Sequence, residues 1–182
     1  MIIQKTDLDP VLLIKPEPHR DARGEFVEVF REHIFREAGI DVSFVQDNIS
    51  KSKKNALRGL HYQLPPSSQV KLVMVPCGTI LDVVVDMRQN SPTFKQHYSA
   101  VLSEENRHML YVPTGFAHGF SVLSEEATVY YKCNDYYSKE LERGVRWDDP
   151  ELNIDWDISD PVLSEKDSKL PLLKDIDDKN LF

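Results

Sequence analysis

The sequence predicts an all-β domain, either a β-sandwich, a β-barrel or a jelly roll. Many short runs rich in β-branched and aromatic residues follow one another at short intervals, with turn-forming residues between them, and helix-forming sequence is sparse. Hydrophobic residues make up 41% of the 182-residue chain, which suffices for the core of one domain over residues 1–182. The predicted strands are 24–30, 42–48, 56–63, 70–76, 79–87, 96–102, 108–113, 118–123 and 127–134.

The first predicted strand shows the clearest alternation. Within residues 24–30, Phe26, Glu28 and Phe30 fall on one face, and two valines fall on the other. Later strands are separated by residues that favour tight turns. These turns are Pro65-Pro66, Cys77-Gly78, Asn90-Ser91-Pro92 and Pro113-Thr114-Gly115.

Helices are predicted only at the margins of the sheet structure. Residues 31–38 form one candidate helix, which Gly39 ends, and residues 103–107 form a turn. The segment 150–182 is acidic and carries irregularly spaced Leu, Ile and Trp. We expect this tail to wrap the barrel with short helices.

The charge balance excludes several classes of protein. Lysine and arginine number 22 against 30 aspartates and glutamates, which gives a net charge of −8. A nucleic-acid-binding protein needs basic patches that neutralise phosphates, so this class is disfavoured. A small anionic ligand remains possible because it needs only two or three well-placed cations.

Neither a membrane segment nor a disulfide framework is expected. Residues 1–7 lack the pattern of a signal peptide, and the most apolar segment, 80–85, is short and interrupted by a charge. The two cysteines, Cys77 and Cys133, belong to no CxxC pair that would indicate zinc. We therefore expect a cytoplasmic protein without membrane or nucleic-acid partners.

Two histidines stand out among the six. His61 lies in a predicted strand that places Leu57, Gly59, His61 and Gln63 on one side, and His118 follows a tight turn. For either histidine alone, a hydrogen-bonded core position is the simpler interpretation. The spacing Pro-x-Gly-x-x-His that ends at His118 resembles the second motif of the cupin barrels. In metal-dependent cupins the first motif supplies His-x-His, whereas this chain has His61-Tyr62-Gln63, so we expect a cupin-like jelly roll without a metal.

Several segments together resemble the dTDP-4-dehydrorhamnose 3,5-epimerase family, nearly from end to end and in the family's order and spacing. They are 21–28 (DARGEFVE), 44–48 (FVQDN), 57–61 (LRGLH), 71–73 (KLV), 112–120 (VPTGFAHGF), 131–132 (YK) and 163–167 (LSEKD).

The resemblance implies a cofactor-free isomerase. Family members convert dTDP-4-keto-6-deoxy-glucose to dTDP-4-keto-rhamnose by inverting C3 and C5, the two carbons that flank the C4 ketone. A proton next to a carbonyl can be removed if the enolate is stabilised, and its return from the opposite face inverts the carbon. Such a site needs a base, an acid on the other face and a donor at the oxygen.

The resemblance also assigns the catalytic roles. It makes His61 the base, oriented by Asp167, and Tyr131 the acid. Lys71 would stabilise the developing oxyanion, and His118 would line the sugar pocket. Taken alone, each has a simpler interpretation: Asp167 fits a helix capping box, Tyr131 fits a core aromatic residue, and Lys71 fits a solvated strand end.

Further residues match positions that bind the nucleotide in the family. Two arginines would hold the diphosphate, and amide, aromatic and carboxylate side chains would contact the sugar and base. The strand that includes residues 23–28 reaches into the neighbouring subunit in the family, which implies a homodimer with shared sites. The residues are Arg23, Phe26, Glu28, Gln46, Asn48, Arg58, Lys71, His118, Tyr137, Glu142 and Lys166.

Three alternatives remain open at this point. An epimerase that inverts only one carbon would share almost every residue named above. A non-catalytic nucleotide-sugar-binding cupin is disfavoured, because both His61 and Tyr131 are present. A metal-dependent cupin oxygenase is disfavoured by the missing second imidazole of the first motif.

Overall fold

The computed structural model describes residues 1–182 and is built almost entirely from antiparallel strands. The structure has one α-helix and three single-turn 3₁₀ helices. The 3₁₀ helices are Asp167–Lys169, Leu173–Asp175 and Asp178–Asn180. None of the helices reaches the length and apolar character required to cross a membrane. The other elements are β1 (Ile2–Lys5), β2 (Leu12–Lys15), β3 (His19–Asp21), β4 (Gly24–Phe26), α1 (Glu32–Glu37), β5 (Gln46–Lys53), β6 (Leu57–Gln63), β7 (Lys71–Cys77), β8 (Thr79–Asp86), β9 (His97–Ser103), β10 (Met109–Val112), β11 (Phe116–Val122), β12 (Glu126–Cys133) and β13 (Glu142–Gly144).

Two sheets form the body of the molecule, as the alternating sequence predicts. One sheet has six strands in the order β1-β2-β10-β7-β12-β5, and the other has five in the order β13-β6-β11-β8-β9. A separate hairpin of β3 and β4 is exposed to solvent along both strands. The predicted all-β fold class is confirmed.

The apolar residues fall into three layers. The largest buried cluster, which includes Val73, Val84 and Val129, draws on both sheets and fills the space between them. A second cluster joins the outer face of the five-stranded sheet to the C-terminal tail through residues such as Trp156. In the third, Phe35 of α1 packs on the outer face of the six-stranded sheet. The tail and α1 therefore cover the outer faces, and the site shares the space between the sheets with the largest cluster.

One extra residue in β6 changes the direction of its side chains. His61 pairs with His118 of β11, but Arg58 pairs with Phe120, so three steps on β6 match two on β11. This β-bulge places Arg58 and His61 on the same face, and it turns Leu57 to the outer cluster. The prediction that Leu57, Gly59, His61 and Gln63 share one side assumed strict alternation, and for this reason it is wrong for Leu57 relative to His61.

Gly59 is the residue that allows this bulge. Its φ is +119°, and a Cβ placed there would lie 2.5 Å from the Cα of Gly119 on the neighbouring strand. The backbone that approaches it so closely is that of β11. Only a residue without a side chain fits this contact.

Several element boundaries differ from those predicted. The strand predicted at 24–30 ends at Phe26, and the strand predicted at 42–48 begins at Gln46 and continues to Lys53. Serine and lysine dominate the second half of β5, a polar composition typical of an edge strand that concealed the alternation. The N-terminal strands β1 and β2 were not predicted. The short helices in the tail and the turn at 103–107 are confirmed.

We predict that Gly59→Ala lowers the free energy of unfolding by about 1–3 kcal/mol, because the new methyl group meets the backbone of β11 at a positive φ. Urea denaturation followed by tryptophan fluorescence measures the change. Gly24→Ala is the matched control, since Gly24 also has a positive φ (+126°) but no atom within 4 Å of its added Cβ. Equal losses in the two variants would contradict the role of the close contact.

Candidate active site

A cavity of about 650 Å³ opens between the two sheets. Its lining includes all five residues that were predicted to act on the sugar. Strands β6 and β11 carry two of them on one wall, and strands β7 and β12 carry two on the opposite wall. The residues are His61, His118, Lys71, Tyr131 and Asp167.

His61 and Asp167 form a hydrogen-bonded pair. The distance between His61 Nε2 and Asp167 Oδ1 is 2.7 Å, and the Asp167 side chain is 4% exposed. Burial alone raises the pKa of Asp167, but the hydrogen bonds that its carboxylate accepts from His61 and from the Gly59 backbone outweigh this effect and leave the pKa lowered. Asp167 is therefore ionised at neutral pH and fixes one ring nitrogen of His61.

The capping interpretation of Asp167 also describes part of the geometry. The backbone amide of Asp167 donates to Ser164 Oγ at 3.0 Å, at the start of the 3₁₀ helix Asp167–Lys169. Ser164 thus holds the backbone of this turn while the Asp167 carboxylate remains free to contact His61. Asp167 therefore takes part in the helix-capping pattern through its backbone and in the candidate site through its side chain.

A second histidine–carboxylate pair lies beside the first. His118 Nε2 is 2.7 Å from Asp82 Oδ1, and both side chains are buried. Asp82 was not among the predicted site residues. The available signal was the single charge inside the apolar run of β8, where Ile80 and Val84 face the same interior. A charge in that position of a buried strand indicates a functional partner.

The opposite wall presents Lys71 and Tyr131. Lys71 begins β7 and pairs with Cys133 of β12, two residues beyond Tyr131. Burial lowers the pKa of Lys71 and raises the pKa of Tyr131. The tyrosine is therefore a protonated hydroxyl at neutral pH, facing the histidines from the other sheet.

A polar network extends the site toward the surface. The Glu142 carboxylate accepts hydrogen bonds from Tyr137 Oη and Lys166 Nζ, each at 2.8 Å. Gln46 and Asn48 lie two residues apart on β5, and Gln46 Nε2 donates a hydrogen bond to Asn48 Oδ1 at 3.0 Å. The backbone amide of Tyr137 donates to Gln46 Oε1, which joins the two groups.

The two arginines predicted to hold the diphosphate lie in different places. Arg58 lines the cavity, where its Nε donates to Ser52 Oγ at 3.0 Å. Arg23 lies on the β3–β4 hairpin, pairs with Asp21, and is 90% exposed. Phe26 is 70% exposed on the same hairpin, and Glu28 pairs with Arg31. Within a single chain, Arg23, Phe26 and Glu28 do not reach the cavity.

Comparisons with known proteins identify the family. The sequence model described as dTDP-4-dehydrorhamnose 3,5-epimerase matches residues 5–175. The enzyme of that name from Shigella flexneri is 51% identical over 168 residues, covering 92% of this chain and 93% of the relative. The one from Methanothermobacter thermautotrophicus is 49% identical over 166 residues, covering 90% and 89% of the two chains.

Comparison with solved structures points to the same family. The epimerase RmlC from Legionella pneumophila, solved with dTDP-4-keto-L-rhamnose, is 46% identical and superposes with a TM-score of 0.95, covering 99% of this chain and 96% of that one. ChmJ, a 3′-monoepimerase from Streptomyces bikiniensis, is 36% identical with a TM-score of 0.89, covering 94% and 87% of the two chains. The match of sequence and fold over nearly the whole length shows that this chain belongs to the dTDP-4-dehydrorhamnose 3,5-epimerase family.

Proposed function

We propose that this protein is a dTDP-4-dehydrorhamnose 3,5-epimerase, which converts dTDP-4-dehydro-6-deoxy-D-glucose to dTDP-4-dehydro-L-rhamnose. The observation that carries the proposal is the division of one cavity between a histidine–carboxylate pair on one sheet and Tyr131 with Lys71 on the other. Identities of 51% and 49% to enzymes of this name support the same conclusion.

The reaction follows from the positions of these groups. His61, oriented by Asp167, takes the proton from the carbon next to the ketone. Lys71 stabilises the negative charge that develops on the ketone oxygen. Tyr131 then returns a proton to the same carbon from the opposite wall, which inverts the centre. Solvent restores both groups, and the same steps repeat at the second carbon.

We assign the nucleotide to Arg58 and to the polar network that extends the site toward the surface. Arg58 supplies a guanidinium for the diphosphate, and Tyr137 offers an exposed ring for the base. Gln46, Asn48 and the Glu142–Lys166 pair provide amide and charged groups that pair with sugar or base. We expect dTDP alone to bind through these groups.

A homodimer would complete this site. The hairpin that carries Arg23 and Phe26 leaves both side chains exposed. An exposed aromatic ring beside an exposed guanidinium is typical of a surface that binds a partner or ligand. We propose that this hairpin enters the nucleotide site of a second copy. A cytoplasmic location stays a prediction.

Proton NMR of the reaction in heavy water tests the function. We expect deuterium to enter at both C3 and C5 of the sugar. Deuterium at one carbon only would favour a single-carbon epimerase, a class to which the similar ChmJ belongs. Bound substrate without exchange at either carbon would contradict an epimerase.

We predict that Asp167→Asn lowers kcat by about 10²–10⁴-fold, because a neutral amide no longer supports the imidazolium that forms on His61. Steady-state kinetics measures this loss, with dTDP affinity as the control that we expect to be retained.

The same variant tests the charge of Asp167 through protein stability. Because the folded-state pKa of Asp167 is lowered, the stability that its charge contributes is present above the unfolded-state pKa and is lost as pH falls through the folded-state pKa. The difference in unfolding free energy between wild type and variant should therefore shrink in acid, and a constant difference would contradict the assignment.

We predict that Tyr131→Phe separates exchange from inversion. Removal of the substrate proton by His61 remains, so solvent deuterium still enters, but inverted product forms about 10²–10⁴-fold more slowly. Proton NMR in heavy water measures both rates. Tyr130→Phe is the matched control, because the Tyr130 hydroxyl accepts from Lys132 on the outer face of the sheet. An equal loss of exchange and inversion in Tyr131→Phe would remove this residue from proton return.

We predict that mixing two inactive variants, His61→Ala and Arg23→Ala, restores activity if the hairpin acts in the partner subunit. In a mixed dimer, one site then has both His61 and Arg23 intact. After random exchange of subunits about a quarter of the wild-type activity is expected. The activity is measured before and after co-refolding. No recovery in mixtures that have formed mixed dimers would mean that each hairpin serves its own chain.

A further inference from the structure

Arg58 differs from most other arginines of the chain in what its guanidinium contacts. Seven of the nine arginines pair with a carboxylate. Arg143 contacts an amide side chain and backbone carbonyl groups. The Arg58 guanidinium makes a single hydrogen bond, from Nε to Ser52 Oγ at 3.0 Å, and pairs with no carboxylate. Arg58 therefore brings a charge to the cavity that no side chain of the protein neutralises by contact.

Ser52 belongs to the inner face of β5. Along this strand Gln46, Asn48, Ser50 and Ser52 are more buried than the residues between them. Ser52 is 7% exposed, and it is the register partner of Ala127 on β12, a fully buried residue of the largest apolar cluster. The strand ladder fixes the Ser52 backbone, and only one side-chain torsion separates that backbone from Oγ. The hydroxyl oxygen therefore has a well-defined place beside Arg58.

The bond at Nε determines which part of the guanidinium remains for a ligand. A guanidinium carries five N–H groups in one plane, and Ser52 takes the one on Nε. The four N–H groups on the two terminal nitrogens remain, and they form a fork that matches two phosphate oxygens. Because the partner is a neutral hydroxyl, the positive charge also remains available to an anion. A long side chain that is fixed before binding loses less conformational freedom when the ligand arrives.

We propose that Ser52 is a positioning residue that holds the Arg58 guanidinium ready for the diphosphate of a nucleoside diphosphate. This inference rests on the proposed function, in which Arg58 meets the diphosphate. Ser52 acts through Arg58, so its contribution is confined to ligands that carry phosphates. It therefore adds to the preference of the site for a nucleoside diphosphate over the bare nucleoside.

The first test compares the affinities of Ser52→Ala for dTDP and for thymidine, measured by calorimetry and by NMR titration. We expect dTDP to bind about three- to tenfold more weakly, because Arg58 must now be immobilised at the moment of binding. Thymidine affinity should not change. Ser50→Ala is the matched control, since Ser50 lies on the same face of β5 but its hydroxyl has no hydrogen-bond partner. Equal losses of dTDP affinity in the two variants, or equal losses for dTDP and thymidine in Ser52→Ala, would overturn the proposal.

A double-mutant cycle tests whether Ser52 acts through Arg58. In the Arg58→Ala background, we expect Ser52→Ala to change dTDP affinity by less than about twofold, because the side chain that it positions is gone. An undiminished loss in this background would show that Ser52 acts by another route, and it would overturn the proposal.

A second pair of variants controls for folding. Threonine and valine have the same shape, and only threonine has a hydroxyl that can accept from Arg58 Nε. We expect Ser52→Thr to bind dTDP more tightly than Ser52→Val, with thermal unfolding of both variants as the check on folding. Equal dTDP affinities in the folded pair would overturn the proposal.

These binding measurements are independent of catalysis. The expected dependence of dTDP affinity on Ser52, in a protein that exchanges no sugar proton, would support this inference and contradict the proposed reaction. Exchange at C3 and C5 by a wild-type protein that binds dTDP no more tightly than thymidine would support the reaction and overturn this inference.

Discussion

The bulge between β6 and β11 is the constraint on which the site depends. Without the extra residue, Arg58 and His61 would fall on opposite faces of their strand, one in the cavity and one in the layer beneath the C-terminal tail. With it, the Arg58 guanidinium and the His61 imidazole enter the same cavity from positions three residues apart. Gly59 makes this possible by letting the backbone of β11 approach. One backbone irregularity thus positions both the residue proposed to bind the nucleotide and the residue proposed to remove the proton.

The sequence predicts the elements with strong alternation and short turns. Strands such as β8 and β12 have apolar residues at every second position, and the structure contains them almost as predicted. It does not reveal β5 in full, because Ser50 and Ser52 face inward without apolar character. Nor does it reveal the bulge in β6, since a shift in register depends on the neighbouring strand rather than on local composition.

Some residues of the site were predicted from the sequence, and others were missed. Family resemblance named His61, Asp167, Lys71 and Tyr131, and the fold brings all four to one cavity although Asp167 lies 106 residues from His61 in sequence. Residue patterns alone favoured simpler roles for each, because contacts between distant segments leave no local signal. Asp82 was missed for the opposite reason. Its signal is local, a charge in a buried strand, but it touches the cavity only through His118.

The two-sheet architecture explains why this fold suits an inversion. Inverting a carbon requires an acid and a base on opposite faces of one sugar ring, held apart by more than the thickness of that ring. Facing sheets lie about 10 Å apart, which leaves room for a pyranose between side chains of the two walls. His61 and Tyr131 belong to different sheets, so the packing of the sandwich itself sets their separation. The same interior has a low dielectric constant, which strengthens the attraction between Lys71 and an enolate oxygen but also favours loss of the lysine proton.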